Sequence, residues 1–276
     1  MIDFASYKKI VNESLEDYLP KKVGEAKRLY ESMGYSLLSG GKRLRGSMLL
    51  FSAGYCGLEI KDALPFACAL EMIHAYSLIH DDLPVMDNDD LRRGKPTNHK
   101  VYGEATALLA GDALLTMAFS VICQSEALSD TQKVKAVGLL SEYAGANGMI
   151  GGQQIDLIGE KKRLTEKEHK KMNTLKTGAL IRCAALFGCI AAEADEAAFS
   201  AAERYAENIG LAFQVTDDLL DIGEEDEKTT YLTFMTEERA RRYASELTDG
   251  AVNAIKDYEG SETLVSLARF LRDRQV

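Results

Sequence analysis

Two groups of aspartates carry the strongest chemical signal in the sequence. Their six carboxylates belong to Asp81, Asp82, Asp87, Asp217, Asp218 and Asp221. In a helix, residues 217 and 221 lie one turn apart on one face, where two carboxylates repel each other unless a cation lies between them. Carboxylate oxygens are ligands that Mg²⁺ prefers. A solvated helix end is the alternative, but the residues before Asp217 are mostly apolar, and carboxylates that emerge from a core helix need partners.

The first group is followed directly by two arginines, Arg92 and Arg93. Pro84 removes a helical hydrogen bond, so the helix should end or kink there and let Asp87 fold back towards Asp81. The guanidinium group is suited to bidentate recognition of phosphate. Metal-binding carboxylates beside phosphate-binding arginines predict a diphosphate that is bridged by Mg²⁺.

Two other kinds of metal site have sequence patterns that partly match the first group of aspartates. A calcium-binding EF-hand loop needs Asp-x-Asp-x-Asp-Gly, and from Asp87 that spacing reaches Leu91 and Arg92, so the pattern fails. His80 and Asp81 are also compatible with a metal phosphohydrolase, which pairs His-Asp with further histidines. The histidines available to such a site are His74, His99 and His169. This second alternative stays open.

The segment 40–45 has two glycines and the cations Lys42, Arg43 and Arg45 at the start of a predicted helix. Backbone N–H groups at a helix start, together with Lys and Arg, favour the binding of an anion. The segment is not a Walker loop, because Ser36 stands where the first glycine should be and Arg43 replaces the Ser or Thr. A basic surface turn is the alternative interpretation.

Helices must position all of these groups. The chain has four prolines, with none after Pro96, and long stretches rich in Ala, Leu, Glu and Lys have apolar residues three and four apart. The spacing predicts helices at 3–19, 22–38, 43–56, 62–83, 102–128, 131–149, 166–190, 196–222, 236–258 and 262–274. Helices 62–83 and 196–222 are apolar on most sides, as in the core of a large bundle. We predict one all-α domain over residues 1–276.

Composition and charge exclude several classes of protein. Hydrophobic residues make up 46% and charged residues 28% of the chain, which is typical of a globular protein. With 33 basic and 43 acidic residues the formal charge is −10, which disfavours nucleic acids and anionic membranes as partners. The five cysteines form no Cys-x-x-Cys pair, and no 18-residue stretch is free of charge. We therefore expect a cytoplasmic protein without a signal peptide or a membrane span.

Five ordered segments together resemble the trans-isoprenyl diphosphate synthases. They are Gly40–Arg45, Leu78–Gly94, Gly151–Asp156, Lys176–Gly178 and Phe213–Asp221. The segments with Asp81 and Asp217 are similar to the two aspartate-rich motifs of that family, and the likeness spans almost the whole chain. The resemblance implies the isoprenoid synthase fold, a single-domain bundle of about ten or more helices around a central cavity.

The resemblance also implies roles for individual residues. The six aspartates named above would hold Mg²⁺ ions, about three in number, that bind the allylic diphosphate. That diphosphate would also be bound by Arg92, Lys176, Thr177, Gln214 and Lys228. Isopentenyl diphosphate would be bound by Lys42, Arg45, His74 and Arg93. The catalytic groups would be Asp81, Asp82, Asp87, Lys176, Asp217 and Asp218, with Gln153 and Asp156 as supports.

The implied reaction is a metal-assisted ionisation followed by a head-to-tail condensation. Mg²⁺, Lys and Arg would stabilise the departing pyrophosphate, so that an allylic cation forms in a pocket without water. The double bond of isopentenyl diphosphate would attack that cation. Small isoprenoid diphosphates are thus the expected partners. The resemblance also implies a homodimer, whose interface the apolar helix faces between Val101 and Ile122 would supply.

The product length is predicted from the helix before Asp81. Tyr76 and Ser77 lie five and four residues back, about 6 to 7.5 Å along the axis, where a bulky side chain would block the growing tail. Packing in the core is the alternative role for Tyr76. In the bacterial farnesyl type, an aromatic residue here accompanies two extra residues within the first motif, and four residues separate Asp82 from Asp87. We expect the farnesyl product, with geranylgeranyl as the alternative.

The segment after the second motif departs from the family pattern. The family has a loop Gly-Lys-x-x-Gly-x-Asp and then Lys-[Ser/Thr]-x-Tyr, whereas here Gly223–Glu227 leads directly to Lys228 and Tyr231. Because the other motifs are intact, we expect a missing mobile loop rather than a true deletion. A non-catalytic partner subunit is an alternative function, and intact carboxylates in both motifs argue against it. A terpene cyclase would have no need of Lys42, Arg45 and His74.

Overall fold

The computed structural model describes residues 4–20, 23–41, 43–55, 57–222 and 229–274. Two predicted ligand residues, Lys42 and Lys228, lie outside these residues, as does the shortened connection 223–228. What the sequence predicts for them stays a prediction.

The described residues are almost entirely helical. The α-helices are α1 Phe4–Tyr18, α2 Lys27–Leu37, α3 Leu44–Tyr55, α4 Ile60–Asp81, α5 Asn98–Tyr102, α6 Glu104–Cys123, α7 Asp130–Ala144, α8 Met149–Gly159, α9 Glu166–Asn173, α10 Ala179–Ala191, α11 Glu196–Leu220, α12 Glu237–Ile255 and α13 Glu262–Asp273. A π-helical turn at Thr174–Gly178 joins α9 to α10, and Tyr231–Thr233 forms a 3₁₀ turn. Strands β1 Leu91–Arg92 and β2 Lys95–Pro96 make a small antiparallel hairpin. The predicted all-α class is confirmed.

Several predicted boundaries differ from those of the structure, and glycines account for two of the differences. The helix predicted at 102–128 begins only at Glu104, because Gly103 has a φ of 85°, which a helix does not accommodate, and the short helix α5, which was not predicted, ends just before this glycine. A separate helix, α8, follows Gly148, where the sequence analysis places a loop. The helix predicted at 166–190 contains the π-helical turn.

The chain forms two compact units. The first unit consists of Ile2–Leu50 and Lys61–Lys133, and the second consists of Met1, Phe51–Ile60 and Val134–Val276. The first group of aspartates lies in the first unit, and the second group lies in the second unit. The prediction of a single domain stays a prediction.

Helix α4 carries the first group of aspartates and is the core helix of the first unit. Its residues from 66 to 73 are all buried, which explains why the sequence is apolar around most of the helix. The helix ends at Asp81, and the N–H of Asp87 donates to the carbonyl of Asp81 over 2.9 Å. The structure thus confirms the turn that Pro84 predicts.

A buried ion pair attaches the glycine turn before α3 to α4. Arg43 donates to Glu71 over 3.3 Å and to the carbonyl of Leu37 over 2.5 Å. The same Glu71 accepts a hydrogen bond of 2.9 Å from the N–H of Gly46. Since both charged side chains are buried, each needs the other as a partner. Arg43, one of the cations of the predicted anion site, therefore has a structural role.

In the second unit, α8 approaches the π-helical turn through a glycine. A Cβ atom on Gly152 would lie 2.1 Å from the backbone nitrogen of Lys176. Only glycine therefore allows α8 to contact the segment that carries Lys176 and Thr177. π-Helical turns are frequent at functional sites because they displace side chains from the regular helical register.

Two helical stretches among the described residues have the length and apolar composition of a membrane span, Glu104–Cys123 and Glu166–Ala191. A core helix of a bundle has the same properties, and 67% of the apolar stretch in Glu166–Ala191 is buried inside the protein, against 39% in Glu104–Cys123. The expected absence of a membrane span stays a prediction.

Candidate active site

The aspartates of the first unit differ in their partners. Asp82 is only 3% exposed, and its Oδ1 accepts hydrogen bonds of 2.8 and 2.5 Å from Nε and Nη2 of Arg92. Burial raises the pKa of Asp82, and the bonds from Arg92 oppose that rise. The Oδ1 atom of Asp87 is buried without a hydrogen-bond partner in the described part of the chain. An unpartnered buried carboxylate oxygen fits a cation ligand. Asp81 is the last residue of α4.

The β1–β2 hairpin directs its two arginines to different places. Arg92 contacts Asp82, whereas Nη1 of Arg93 donates to the carbonyl of Gly40. A Cβ atom on Gly41 would lie 2.6 Å from the guanidinium of Arg93, and the φ of Gly41 is 118°. Both facts require glycine at this position. The hairpin and the glycine turn thus meet where the sequence predicts an anion site.

His74 lies in a cleft of the first unit in which cations outnumber carboxylates. The cleft is lined by Arg43, Arg92, Arg93 and Lys95 as well as by His74, and also by Glu71 and Asp82, which pair with Arg43 and Arg92. Burial, and then the positive charges of Arg45, Arg93, Arg43 and Arg92, hold the pKa of His74 well below its usual value. The imidazole is therefore neutral at pH 7, and the cleft favours an anion. The structure places three residues that were predicted as ligands, Arg45, His74 and Arg93, near one another, and Lys95, which was not among the predicted ligands, also lines the cleft.

Tyr76 and Ser77 lie on α4 before Asp81. Tyr76 is 5% exposed, and its ring lies edge-on to the ring of His80 with 5.7 Å between centroids. Its hydroxyl has no hydrogen-bond partner among the described residues, and burial, followed by the charge of Asp81, raises its pKa to about 12. Ser77 donates to the carbonyl of His74 over 3.0 Å. A large ring therefore stands one to two helical turns before the carboxylates.

The aspartates of the second unit lie at the end of α11. Asp217 and Asp218 belong to its last turn, and Asp221 caps it. Oδ2 of Asp218 accepts a hydrogen bond of 2.6 Å from the N–H of Tyr231. Burial raises the pKa of Asp218 to about 6, with smaller contributions from the charges of Asp217 and Asp221. Gln214, also on α11, precedes Asp218 by one turn.

Arg274 is a residue that the sequence analysis missed. It follows α13 and donates to Asp217 over 2.5 Å and to the carbonyl of Phe213 over 3.0 Å. Burial lowers the pKa of its guanidinium, and the charge of Asp217 opposes that effect. Tyr231 was likewise missed as a partner of Asp218. Neither residue is close in sequence to the aspartate that it contacts, so no local signal predicts the contacts.

Lys176 and its neighbours form the other polar cluster of the second unit. Nζ of Lys176 donates to Oδ2 of Asp156 over 2.5 Å. Nε2 of Gln153 is buried without a hydrogen-bond partner among the described residues. A cavity of about 200 Å³ is lined by Asp156, His169, Asn173, Asp218, Asp221 and Thr229, among others. The cavity therefore connects the surroundings of Lys176 with the acidic end of α11.

No three acidic, cysteine or histidine side chains within the described residues are close enough to hold a metal ion by themselves. Each aspartate group nevertheless has the oxygen chemistry that suits Mg²⁺. Mg²⁺ usually keeps several non-protein ligands and is bound by one or two carboxylates together with phosphate oxygens. The donor set therefore fits Mg²⁺ that arrives with a diphosphate.

Comparison with known proteins identifies the class to which this fold and site belong. The model of the Polyprenyl synthetase family matches residues 26–231. The chain belongs to this family, which confirms the resemblance seen in its motifs. Farnesyl diphosphate synthase of Geobacillus stearothermophilus is 46% identical over 223 residues, which cover 80% of this chain and 75% of that protein. Geranylgeranyl diphosphate synthase of Cyanophora paradoxa is 42% identical, with coverage of 97% and 94%.

Solved structures give the same result. An FPP/GFPP synthase from Zymomonas mobilis has a TM-score of 0.92 and 36% identity, with coverage of 98% of this chain and 97% of that one. A geranyltransferase from Legionella pneumophila has a TM-score of 0.92 and 34% identity, with coverage of 98% and 96%. The chain is therefore an enzyme, a prenyltransferase that makes trans-prenyl diphosphates.

Proposed function

We propose that this enzyme condenses isopentenyl diphosphate with dimethylallyl and then geranyl diphosphate to give trans,trans-farnesyl diphosphate and pyrophosphate. The observation that carries the farnesyl assignment is the position of Tyr76. Tyr76 lies about 7.5 Å before Asp81 along the axis of α4, so its ring stands in the path of a tail that runs from the carboxylates along this helix. The edge contact with His80 holds the ring in place, so the ring would stop the growing tail at this point and limit the length of the product.

In this proposal the cleft around His74 binds isopentenyl diphosphate. The guanidiniums of Arg45 and Arg93 supply bidentate donors for phosphate oxygens, and the neutral imidazole supplies a further hydrogen bond. Arg93 is released from the carbonyl of Gly40 to reach the ligand. Lys42 and Arg45 are assigned to the same diphosphate from the neighbouring turn.

The allylic diphosphate is assigned to the aspartates, with Arg92, Lys176, Thr177, Gln214 and Lys228 as further ligands. Bound Mg²⁺ would neutralise charge on the departing pyrophosphate and so favour ionisation. The Mg²⁺ ions would be held by carboxylates of both groups, which are Asp81, Asp82 and Asp87 in the first unit and Asp217, Asp218 and Asp221 in the second. The Lys176 ammonium adds a fixed positive charge, and Asp156 orients that ammonium.

We also propose that the enzyme is a homodimer that uses the exposed face of α6. Leu108 is 46% exposed and Leu109 is 56% exposed, which places two large apolar side chains side by side in water. Light scattering should give twice the mass of the chain. Replacement of both leucines by glutamate should yield a monomer, and a wild-type monomer would contradict this part of the proposal.

A product assay tests the farnesyl assignment. The purified chain receives Mg²⁺, labelled isopentenyl diphosphate and dimethylallyl diphosphate, and the dephosphorylated alcohols are separated by length. Farnesol should dominate for wild type. Tyr76→Ala should make geranylgeraniol the main product, because the tail gains the space of the ring. Tyr76→Phe is the matched control and should retain farnesol, because the hydroxyl has no hydrogen-bond partner among the described residues.

Geranylgeranyl diphosphate is the alternative product, since the relatives include synthases of both kinds. Geranylgeraniol as the main product of the wild-type enzyme would support the condensation reaction, but it would refute the proposal that Tyr76 limits the product length. No condensation at all would favour a non-catalytic partner subunit. The phosphohydrolase alternative has no support from the structure, because Nε2 of His80 lies 3.0 Å from the carbonyl of Leu108.

A further inference from the structure

Arg274 has an unusual environment for a charged side chain. Its side chain is 6% exposed, and its guanidinium lies over the ring of Phe213 at 4.0 Å from the centroid. It donates to the carbonyl of Phe213 and to the carboxylate of Asp217. Its Nε and Nη1 atoms are buried without hydrogen-bond partners in the part of the chain that is described.

This arrangement is stable only while a negative charge is close. Removal of a guanidinium from water is unfavourable, and two of the donor atoms of Arg274 gain no hydrogen bond from the described residues in return. The carboxylate of Asp217 offsets most of this loss, and the charge of Asp221 makes a smaller contribution. A carboxylate bonded to a buried guanidinium is in turn less available to another cation, because two cations at one carboxylate repel each other.

We propose that Arg274 is a positioning residue that holds the carboxylate of Asp217 in the metal-free enzyme and competes with the metal ion for it. The inference rests on the proposed function, which assigns Asp217 as a metal ligand. Metal binding then requires Asp217 to exchange its bond with Arg274 for a bond with the metal. The guanidinium keeps its contacts with the ring and the carbonyl of Phe213 during that exchange.

Binding of Mn²⁺ to the purified, metal-free full chain tests the competition without any substrate. Electron paramagnetic resonance measures free Mn²⁺ for wild type, Arg274→Met, Arg274→Lys and Arg272→Met. Methionine preserves an apolar side chain over Phe213 and removes the charge. Arg274→Met should bind Mn²⁺ about three- to tenfold more tightly than wild type, as expected for a partly buried ion pair. Arg274→Lys should stay close to wild type.

Arg272→Met is the matched control. Arg272 lies two residues earlier and pairs with its neighbour Asp273, so its replacement removes the same charge without touching Asp217. Its Mn²⁺ affinity should equal that of wild type. In an Asp217→Asn background, Arg274→Met should have a clearly smaller effect, because the carboxylate that bonds Arg274 is absent and only the weaker influence of its charge on Asp221 is left.

Unchanged or weaker Mn²⁺ binding in a folded Arg274→Met chain would overturn the inference, and circular dichroism verifies the fold. Weaker binding of inorganic pyrophosphate at constant Mn²⁺, with Mn²⁺ binding itself unchanged, would also overturn it and make Arg274 a phosphate ligand. If no chain binds Mn²⁺ and the product assay fails as well, the proposed function fails. A normal product assay with unchanged Mn²⁺ binding refutes the competition alone.

Discussion

Both aspartate groups contain a carboxylate that is bonded to an arginine, but the two arginines come from different parts of the chain. The carboxylate of Asp82 is bonded to the guanidinium of Arg92 in the first unit, and that of Asp217 to Arg274 in the second. Arg92 is 10 residues from its partner, whereas Arg274 is 57 residues from its partner. The first group is therefore organised by a local turn and hairpin, and the second by tertiary structure.

The same difference extends to the other contacts of the two groups. In the first unit, the N–H of Asp87 folds back onto Asp81 within one turn. In the second unit, the N–H of Tyr231 reaches Asp218 from 13 residues further along the chain. When all residues of a group belong to one segment, the whole group can be recognised as a motif in the sequence. When some of its partners are remote in the sequence, the motif shows the aspartates but not the residues that contact them.

Replacement of one carboxylate in each group should have the largest effect and tests whether the groups are equally important. Asp82→Asn and Asp218→Asn should each lower kcat by about 10² to 10³, as does loss of one electrostatic stabiliser in other enzymes. Steady-state kinetics with geranyl diphosphate measures this. Asp90→Asn is the control, because Asp90 is exposed and pairs with Lys100. Near-normal activity of Asp82→Asn or of Asp218→Asn would show that the two aspartate groups are not equally important.

Gly41→Ala should have an intermediate effect that is confined to the first unit. The new methyl group would displace the guanidinium of Arg93, so KM for isopentenyl diphosphate should rise about tenfold, as expected for a misplaced charged hydrogen bond. The KM for the allylic substrate should change little. Gly138→Ala is the control, because a Cβ atom at that position meets no atom within 4 Å. An equal rise of both KM values would show that the cleft is not selective.

The smallest predicted effect is on stability. Asp218→Asn should change the free energy of unfolding of the metal-free protein only modestly. The pKa of Asp218 is raised from 3.8 to about 6. Its contribution to stability is therefore complete below about pH 4 and is lost as the pH rises through about 6. Asparagine still accepts the bond from Tyr231 without a charge, so the variant should be more stable by about 1 to 2 kcal/mol at pH 7.5.

Urea unfolding at pH 7.5 and at pH 4 measures that difference. The advantage of Asp218→Asn should shrink on acidification, because Asp218 of the wild type is then protonated and neutral as well. A variant that is less stable at pH 7.5 would show that the charge of Asp218 stabilises the fold. The second group would then resemble an ordinary ion-pair network rather than a site prepared for a cation.

The helical class, the turn after α4 and the identity of the family were predictable from the sequence. Apolar spacing, proline and adjacent aspartates are local properties, and they act within a few residues of each other. The short helix α5 and the interruption at Gly103 that separates it from α6 were missed, although glycine is a known interruption. The additional helix α8 was missed because its sequence is short and rich in glycine.

Tertiary structure alone decided which charges are neutralised and which stay available. Arg43 is one of three cations in the segment 40–45, yet it is buried in an ion pair with Glu71. Arg274 has no signal in the sequence, yet its side chain is buried against Phe213 and Asp217. The sequence determined the chemistry of the site because side-chain types and local spacing are written in it. The partner of each charge depends on contacts between remote segments, and those contacts form only when the helices pack together.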